Sequence, residues 1–144
     1  MKSSDAYPRP DGRSYVAVLD LNDDVLQSLT AFVTAQRIAA AKFYGIGGFR
    51  RATLAFYDME AKQYLPIEVD EQVEVVSLIG NVAMYRGAPR IHAHCVVGRR
   101  DGHTTGGHLL SAVVSPTLEL AVDEITPGLR RTDRPEIGIP LLDF

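Results

Sequence analysis

The stretch RIHAHCVVGRRDGHTTGGHLLS, from Arg90 to Ser111, constrains this chain more than any other. It holds all four histidines and the single cysteine of the 144 residues. Ile91 to Val97 alternates and is rich in β-branched residues, the pattern of a strand. Side chains on a strand point alternately to its two faces. His92 and His94 therefore share one face, while Ile91, Ala93, Cys95 and Val97 share the other. Arg99-Arg100-Asp101-Gly102 is a turn signal. A three-residue loop, Arg100-Asp101-Gly102, with glycine in the left-handed third position sets Arg99 against His103 and His94 directly against His108. Partners opposite each other in a ladder share a face, with Cβ atoms about 5 Å apart. Three imidazoles then converge. A two-residue turn centred on Asp101-Gly102 instead moves His108 off that face, unless a bulge at Gly106-Gly107 restores it.

Three converging imidazoles suit a divalent transition metal, and an unfilled fourth position marks a reactive rather than a structural site. His92, His94 and His108 are the predicted metal ligands, and imidazole suits zinc, copper, iron and nickel. An H-x-H on a strand is often only a polar face. The third histidine across the ladder lifts the pair above that reading. His103 falls on the opposite face with Arg99 and is predicted not to be a ligand. Cys95 points away from the site and reads as a small buried hydrophobe.

The length suits one domain with a real core. A net charge of −3 argues against a stand-alone nucleic-acid binder, which needs clustered Lys and Arg. One cysteine excludes an internal disulfide framework. No apolar run follows a basic start and none is long enough to span a membrane, so no membrane partner and a cytoplasmic location are expected.

Residues 1–13 (MKSSDAYPRPDGR) are polar, with two prolines and a glycine, and read as a flexible or extended lead-in. Ser14 to Asp20 is a first strand. Asn22 or Asp23 can cap a helix whose apolar face is Val25, Leu26, Leu29, Phe32 and Val33, running to about Arg37. Lys42 to Phe49 is a strand interrupted by glycines. Its G-x-G-G lacks dinucleotide-binding spacing and opens no helix. Arg51 to Asp58 and Lys62 to Val69 form a hairpin around Met59-Glu60-Ala61, with Pro66 demoting the second strand to an edge or bulged position. Val73 to Tyr85 is a long strand bent at Gly80. Leu109 to Val114 leaves the histidine segment, Pro116 bends the chain, and Thr117 to Ile125 is a final strand. The expected fold is α+β: a twisted, mainly antiparallel sheet of about seven strands with one helix on a face. The domain proper spans 14–125. The tail, 126–144, ends in IPLLDF, an apolar terminus that either folds back on its own sheet or reaches a neighbouring subunit.

The order of these motifs resembles the PPC domain, the domain of plants and prokaryotes also catalogued as a domain of unknown function. The resemblance rests on I-H-A-H-C-V-V-G, the following D-G and G-G-H-L, and E-V-V-S-L-I-G at Glu74 to Gly80. G-I-G at Gly45 to Gly47, A-T-L-A-F-Y-D at Ala52 to Asp58 and the tail RRTDRPEIGIPLL also fit. It covers about residues 14–142. It implies a homotrimer, and in stand-alone prokaryotic members the histidines matching His92, His94 and His108 look like metal ligands. Plant members carry an AT-hook, R-G-R-P. This chain has none, since Arg9-Pro10-Asp11-Gly12-Arg13 lacks the pattern, and DNA is not an expected partner.

The fold also resembles that of acetolactate decarboxylase, which holds zinc with an H-x-H pair and a further histidine. Fold analogy does not settle function. It does imply a metal-dependent lyase or hydrolase acting on a small carbonyl or ester compound. For proton transfer and anion binding in such a site the candidate catalytic residues are Glu74, Glu119, Arg50 and Arg51. Three functions follow. One is a trimeric metal-binding protein with a small-molecule site at the histidines. Another is a DNA-associated regulatory module. The third is a purely structural metal site, with its fourth position closed by a protein side chain.

Overall fold

The structure, a computed structural model, describes residues 1–10, 12–125 and 128–143. Asp11 of the lead-in, and Thr126, Pro127 and Phe144 of the tail, lie outside the described residues. Alternation of apolar and polar side chains makes most of it strand. The elements run β1 (Lys2–Ser3), β2 (Tyr7–Arg9), β3 (Gly12–Leu19), α1 (Val25–Ala35), β4 (Ala41–Asp58), β5 (Gln63–Val69), β6 (Val73–Tyr85), β7 (Ala88–Gly98), β8 (Thr104–Glu124), β9 (Arg130–Arg134) and β10 (Ile139–Asp143). The α+β class stands, but with ten strands among the described residues rather than about seven. No helix among the described residues is long and apolar enough to cross a membrane.

Two pairs of expected strands are single elements. β4 runs unbroken through Gly45, Gly47 and Gly48, and β8 runs on through Pro116. The reason is how closely the two strands approach. A Cβ at Gly47 would lie 2.3 Å from the Thr117 carbonyl oxygen, and one at Gly48 would lie 2.3 Å from that of Ser115. Glycine there lets β8 lie against β4 while the register shifts between Gly47 and Phe49. Gly80 likewise marks contact rather than a bend. Its missing Cβ would meet the His92 carbonyl oxygen and the Phe43 ring, each at 2.4 Å.

β4 pairs with β6 and β8, β6 with β7, and β7 with β8, all antiparallel, so these four long strands close on one another. β3 extends the sheet from β8, and β5 pairs only with β4, which fits Pro66 on an edge. The helix packs on β7 and β8. Its buried stripe, Val25, Leu29, Phe32 and Val33, meets Ala17, Leu19, Ala93, Cys95, Val97, Leu118 and Leu120 in one core. Fully burying a leucine of this kind contributes about 1.5–3 kcal/mol. The cap is Asp24, one residue later than expected, whose Oδ1 accepts from the Gln27 N–H at 2.9 Å. Asp23 is engaged instead with the amino terminus at 2.9 Å and the Asp20 N–H at 2.9 Å.

The lead-in is extended and paired, β1 and β2 both lying antiparallel on β3. The tail folds back on its own sheet. β9 and β10 form a hairpin, β9 meets β6 at Met84, and the Tyr57 hydroxyl donates to the Ile137 carbonyl at 2.6 Å.

Candidate metal centre

The loop length decides the site. Arg99 N–H donates to the His103 carbonyl at 2.8 Å, Gly102 N–H donates to the Arg99 carbonyl at 2.9 Å, and Gly102 has φ 86°. This is the three-residue loop with a left-handed glycine, and it pairs His94 with His108. β7 and β8 pair without a shift from Gly98–Thr104 to His94–His108, so no bulge at Gly106-Gly107 is needed. Ala93, Cys95 and Val97 turn into the core, and the histidines take the face away from the helix.

The three rings meet. Centroid separations are 5.1 Å for His92–His94, 5.0 Å for His92–His108 and 5.4 Å for His94–His108. One nitrogen from each ring lies within 4.8 Å of the others. A tetrahedral zinc ion with Zn–N bonds of about 2.1 Å needs its nitrogens about 3.4 Å apart, within reach of small ring rotations. The cluster holds three donors, and among the described residues no thiolate or carboxylate joins it. An all-imidazole set suits zinc, copper, iron or nickel and does not suit magnesium or calcium. His108 Nδ1 is buried with no hydrogen-bond partner among the described residues, the condition that a bound ion relieves.

Burial and neighbouring charge favour the neutral form of two of the rings. Burial, then the charge of Arg131, then His94 and Arg90, pushes His92 down to about 4. Burial, then the neighbouring His92 and His94, pushes His108 down to about 4. Both rings are therefore neutral at pH 7, the form that binds metal.

Other residues at the site come from far along the chain. Tyr64 of β5 stacks on His108, with centroids 4.5 Å apart and planes inclined by 26°. Asn81 of β6 pairs across the ladder with His92 and accepts from Arg131 Nη2 of β9 at 2.7 Å. Arg90 lies two residues before His92 on β7 and lends its charge to both His92 and His108. Only Arg90 carried a sequence signal, since period two sets it on the face of His92 and His94. Tyr64, Asn81 and Arg131 reach the site through sheet pairing alone.

The four residues considered for proton transfer and anion binding lie elsewhere. Glu74 pairs with Gly98, seven residues along β6 from Asn81 and so about 20 Å away. Glu119 pairs with Val18 and Ile46. Arg50 donates to Asn22 Oδ1 at 3.3 Å. Arg51 lines a cleft with Asp24, Glu68 and Asp70. His103 is exposed and bonded to Asp101, with its Nδ1 3.1 Å from Oδ2. Cys95 is buried, and burial pushes its thiol up to about 11.

Beside the histidines the outer face of the sheet is apolar. Tyr44 pairs with Ile79, Ile79 with His94, and His94 with His108, one row across four strands. Tyr44 is 59% exposed, Ile79 57%, and their neighbours Ile46 61% and Val76 56%.

The family model of the Plants and Prokaryotes Conserved (PCC) domain matches residues 8–126. Among solved structures, a metal-containing protein of Archaeoglobus fulgidus is 32% identical, with a TM-score of 0.87 over 93% of this chain and 95% of its own. A candidate DNA-binding protein of Ralstonia eutropha JMP134 is 35% identical, with a TM-score of 0.84 over 96% of this chain and 95% of its own. Acetolactate decarboxylase of Bacillus subtilis strain 168 is 14% identical, with a TM-score of 0.61 over 90% of this chain and 60% of its own, a likeness of fold alone. No curated protein matches.

Proposed function

Since the chain belongs to the Plants and Prokaryotes Conserved (PCC) domain family, we propose that it is a metal-binding member whose His92, His94 and His108 hold one divalent transition ion. Zinc is the first choice, with a position left open to a small molecule. The observation that carries this reading is the convergence of three imidazoles with no fourth protein donor among the described residues. A structural site would have its fourth position closed by a side chain. The metal-containing relative from Archaeoglobus fulgidus supports the same reading.

When bound, such an ion polarises a carbonyl or lowers the pKa of a water. The chain's own residues supply the rest. The β7–β8 ladder fixes the spacing of His94 and His108. Tyr64 covers one face of the His108 ring. The arm carrying Arg131 lies against the neighbouring strand.

We further propose that the molecule works as a homotrimer, with the exposed row of Tyr44 and Ile79 covered by another copy. Four adjacent large apolar side chains more than half exposed are what a subunit interface needs. That row runs into His94, so the site would open at a subunit boundary. The acidic balance, −3, opposes the DNA-associated reading that the Ralstonia relative raises.

Elemental analysis of the protein purified without a histidine tag tests the central reading. One equivalent of a transition metal per chain is expected, lost in the double variant His92→Ala/His94→Ala. Unchanged metal content in that variant overturns it. DNA binding that persists at physiological salt would overturn the preference against DNA.

A further inference from the structure

Beside the histidines, Arg131 holds cationic charge that no acid among the described residues pairs with. Arg131 is part-buried, and both of its hydrogen bonds go to neutral acceptors, Asn81 Oδ1 at 2.7 Å and the Pro140 carbonyl at 3.4 Å. Its Nε is buried with no partner among the described residues. No ion pair joins Arg131 to any described acid. Burying a guanidinium against neutral groups alone is costly, and a ligand that supplies the anion offsets the cost.

Arg131 is anchored beside the histidines, since the Asn81 that accepts its hydrogen bond is the cross-strand partner of His92. Arg90 approaches from β7, on the face of His92 and His94, with its guanidinium 5.1 Å from the Tyr85 ring centre. The nearby acid, Asp133, accepts from the Tyr85 hydroxyl at 2.7 Å and from Arg86 at 2.9 Å, and Arg90 acts on it only through space, with no hydrogen bond or ion pair between them. Arg90 and Arg131 both act electrostatically on Tyr64, His92 and His108. The Tyr64 hydroxyl makes no hydrogen bond among the described residues, although its ring is stacked on His108. Two guanidinium groups and a spare hydroxyl donor thus border the three imidazoles.

We propose that Arg131 and Arg90, with the Tyr64 hydroxyl, form an anion subsite next to His92, His94 and His108, and that the small molecule taken there carries a carboxylate. This rests on the metal-centre reading for its location, because three neutral ligands leave a divalent ion's charge uncompensated and so add to the pull on an anion. The guanidinium fork matches the two oxygens of a carboxylate, which makes both the charge and the shape selective.

The test is calorimetric titration of the full chain, metal-free and zinc-loaded, with glycolate, with its neutral counterpart glycolamide, and with inorganic phosphate. Bound zinc is measured in every sample. Glycolate should bind both forms, and the zinc-loaded form more tightly. Glycolamide should bind at least about tenfold more weakly than glycolate. Arg131→Gln and Arg90→Gln should each weaken glycolate at least about tenfold while zinc content stays at the wild-type level. Arg90→Gln leaves the hydrogen bonds of the C-terminal arm intact, so it keeps the test decisive if Arg131→Gln loosens that arm. Equal binding of glycolate and glycolamide overturns the proposal. So does glycolate binding unaffected in both variants, or absent from both forms of the wild type. Phosphate binding in preference to glycolate overturns the carboxylate assignment. Failure to take up zinc removes the metal reading alone, and the metal-free titration still decides the anion subsite.

Discussion

Gly107→Ala adds one methyl group next to His108 without altering any of the three histidines. The new Cβ would sit 2.7 Å from the Ala55 carbonyl oxygen, about 0.7 Å inside the 3.4 Å at which ordinary contact begins. Its three nearest neighbours are all backbone: that oxygen, and the Ala55 carbonyl carbon and nitrogen at 3.3 Å. No side chain can swing away, so β8 must move off β4 beside the Ala55–His108 pair. Overpacking of this kind costs about 1–3 kcal/mol. A metal site tolerates ligand displacements of only about 0.2 Å, so a shift of several tenths at His108 should weaken metal binding about 10- to 100-fold. Gly87→Ala serves as the control. Gly87 has φ 84° and nothing within 4 Å of its would-be Cβ, so alanine there is strained by its backbone angle alone. The cost is about 1 kcal/mol, and the histidines stay where they are. Urea unfolding and competition with a chromogenic chelator measure the two quantities separately. Gly107→Ala should lose both stability and metal affinity, while Gly87→Ala should lose stability only. Wild-type metal affinity in Gly107→Ala would refute the argument that the β4–β8 contact sets the position of His108.

Three further outcomes are expected. Arg13 Nε and Nη2 donate to Glu124 at 2.7 and 2.9 Å, and that bond holds the carboxyl below its ordinary 4.5. A folded-state value below the unfolded one means stability present above about 4.5 and lost as pH falls through the folded value. Arg13→Ala should cost about 1 kcal/mol at pH 7, kept small because Arg13 is partly exposed, and urea midpoints should show the difference shrinking as pH falls below about 4.5. Ile79→Asp places a charge in the exposed apolar row and should shift sedimentation from an assembly to a single chain with the circular dichroism spectrum unchanged; an unaltered sedimentation coefficient would count against the subunit interface. Cys95, buried and pushed up to about 11, should resist an aromatic disulfide reagent in the native protein and react in urea; rapid native labelling would contradict its burial.

The match between sequence and structure is best where interactions are local. Period-two alternation and a three-residue loop place His94 opposite His108, because loop length fixes a hairpin's register and register fixes the face of every side chain. The same alternation turns Cys95 inward. Helix α1 was legible for a similar reason, although Asp24 rather than Asn22 or Asp23 caps it. Three neighbouring polar residues compete for one cap, and Asp23 has other partners.

Strand continuity was less legible. Glycines and a proline read as interruptions, yet β4 and β8 pass through them, because the other strand's backbone fills the space that a side chain would take. That contact depends on residues some seventy positions apart, and no local pattern encodes it.

By itself, then, the sequence determined the α+β class, the histidine hairpin and the convergence of His92, His94 and His108, all products of short-range geometry. Only the tertiary structure decided what surrounds them. Closure of β4, β6, β7 and β8 on one another sends Glu74, Glu119, Arg50 and Arg51 away from the histidines. The same pairing brings in Tyr64, Asn81 and Arg131 from β5, β6 and β9. Charge and stacking act through space, and the pairing of distant strands determines which side chains come within reach of one another.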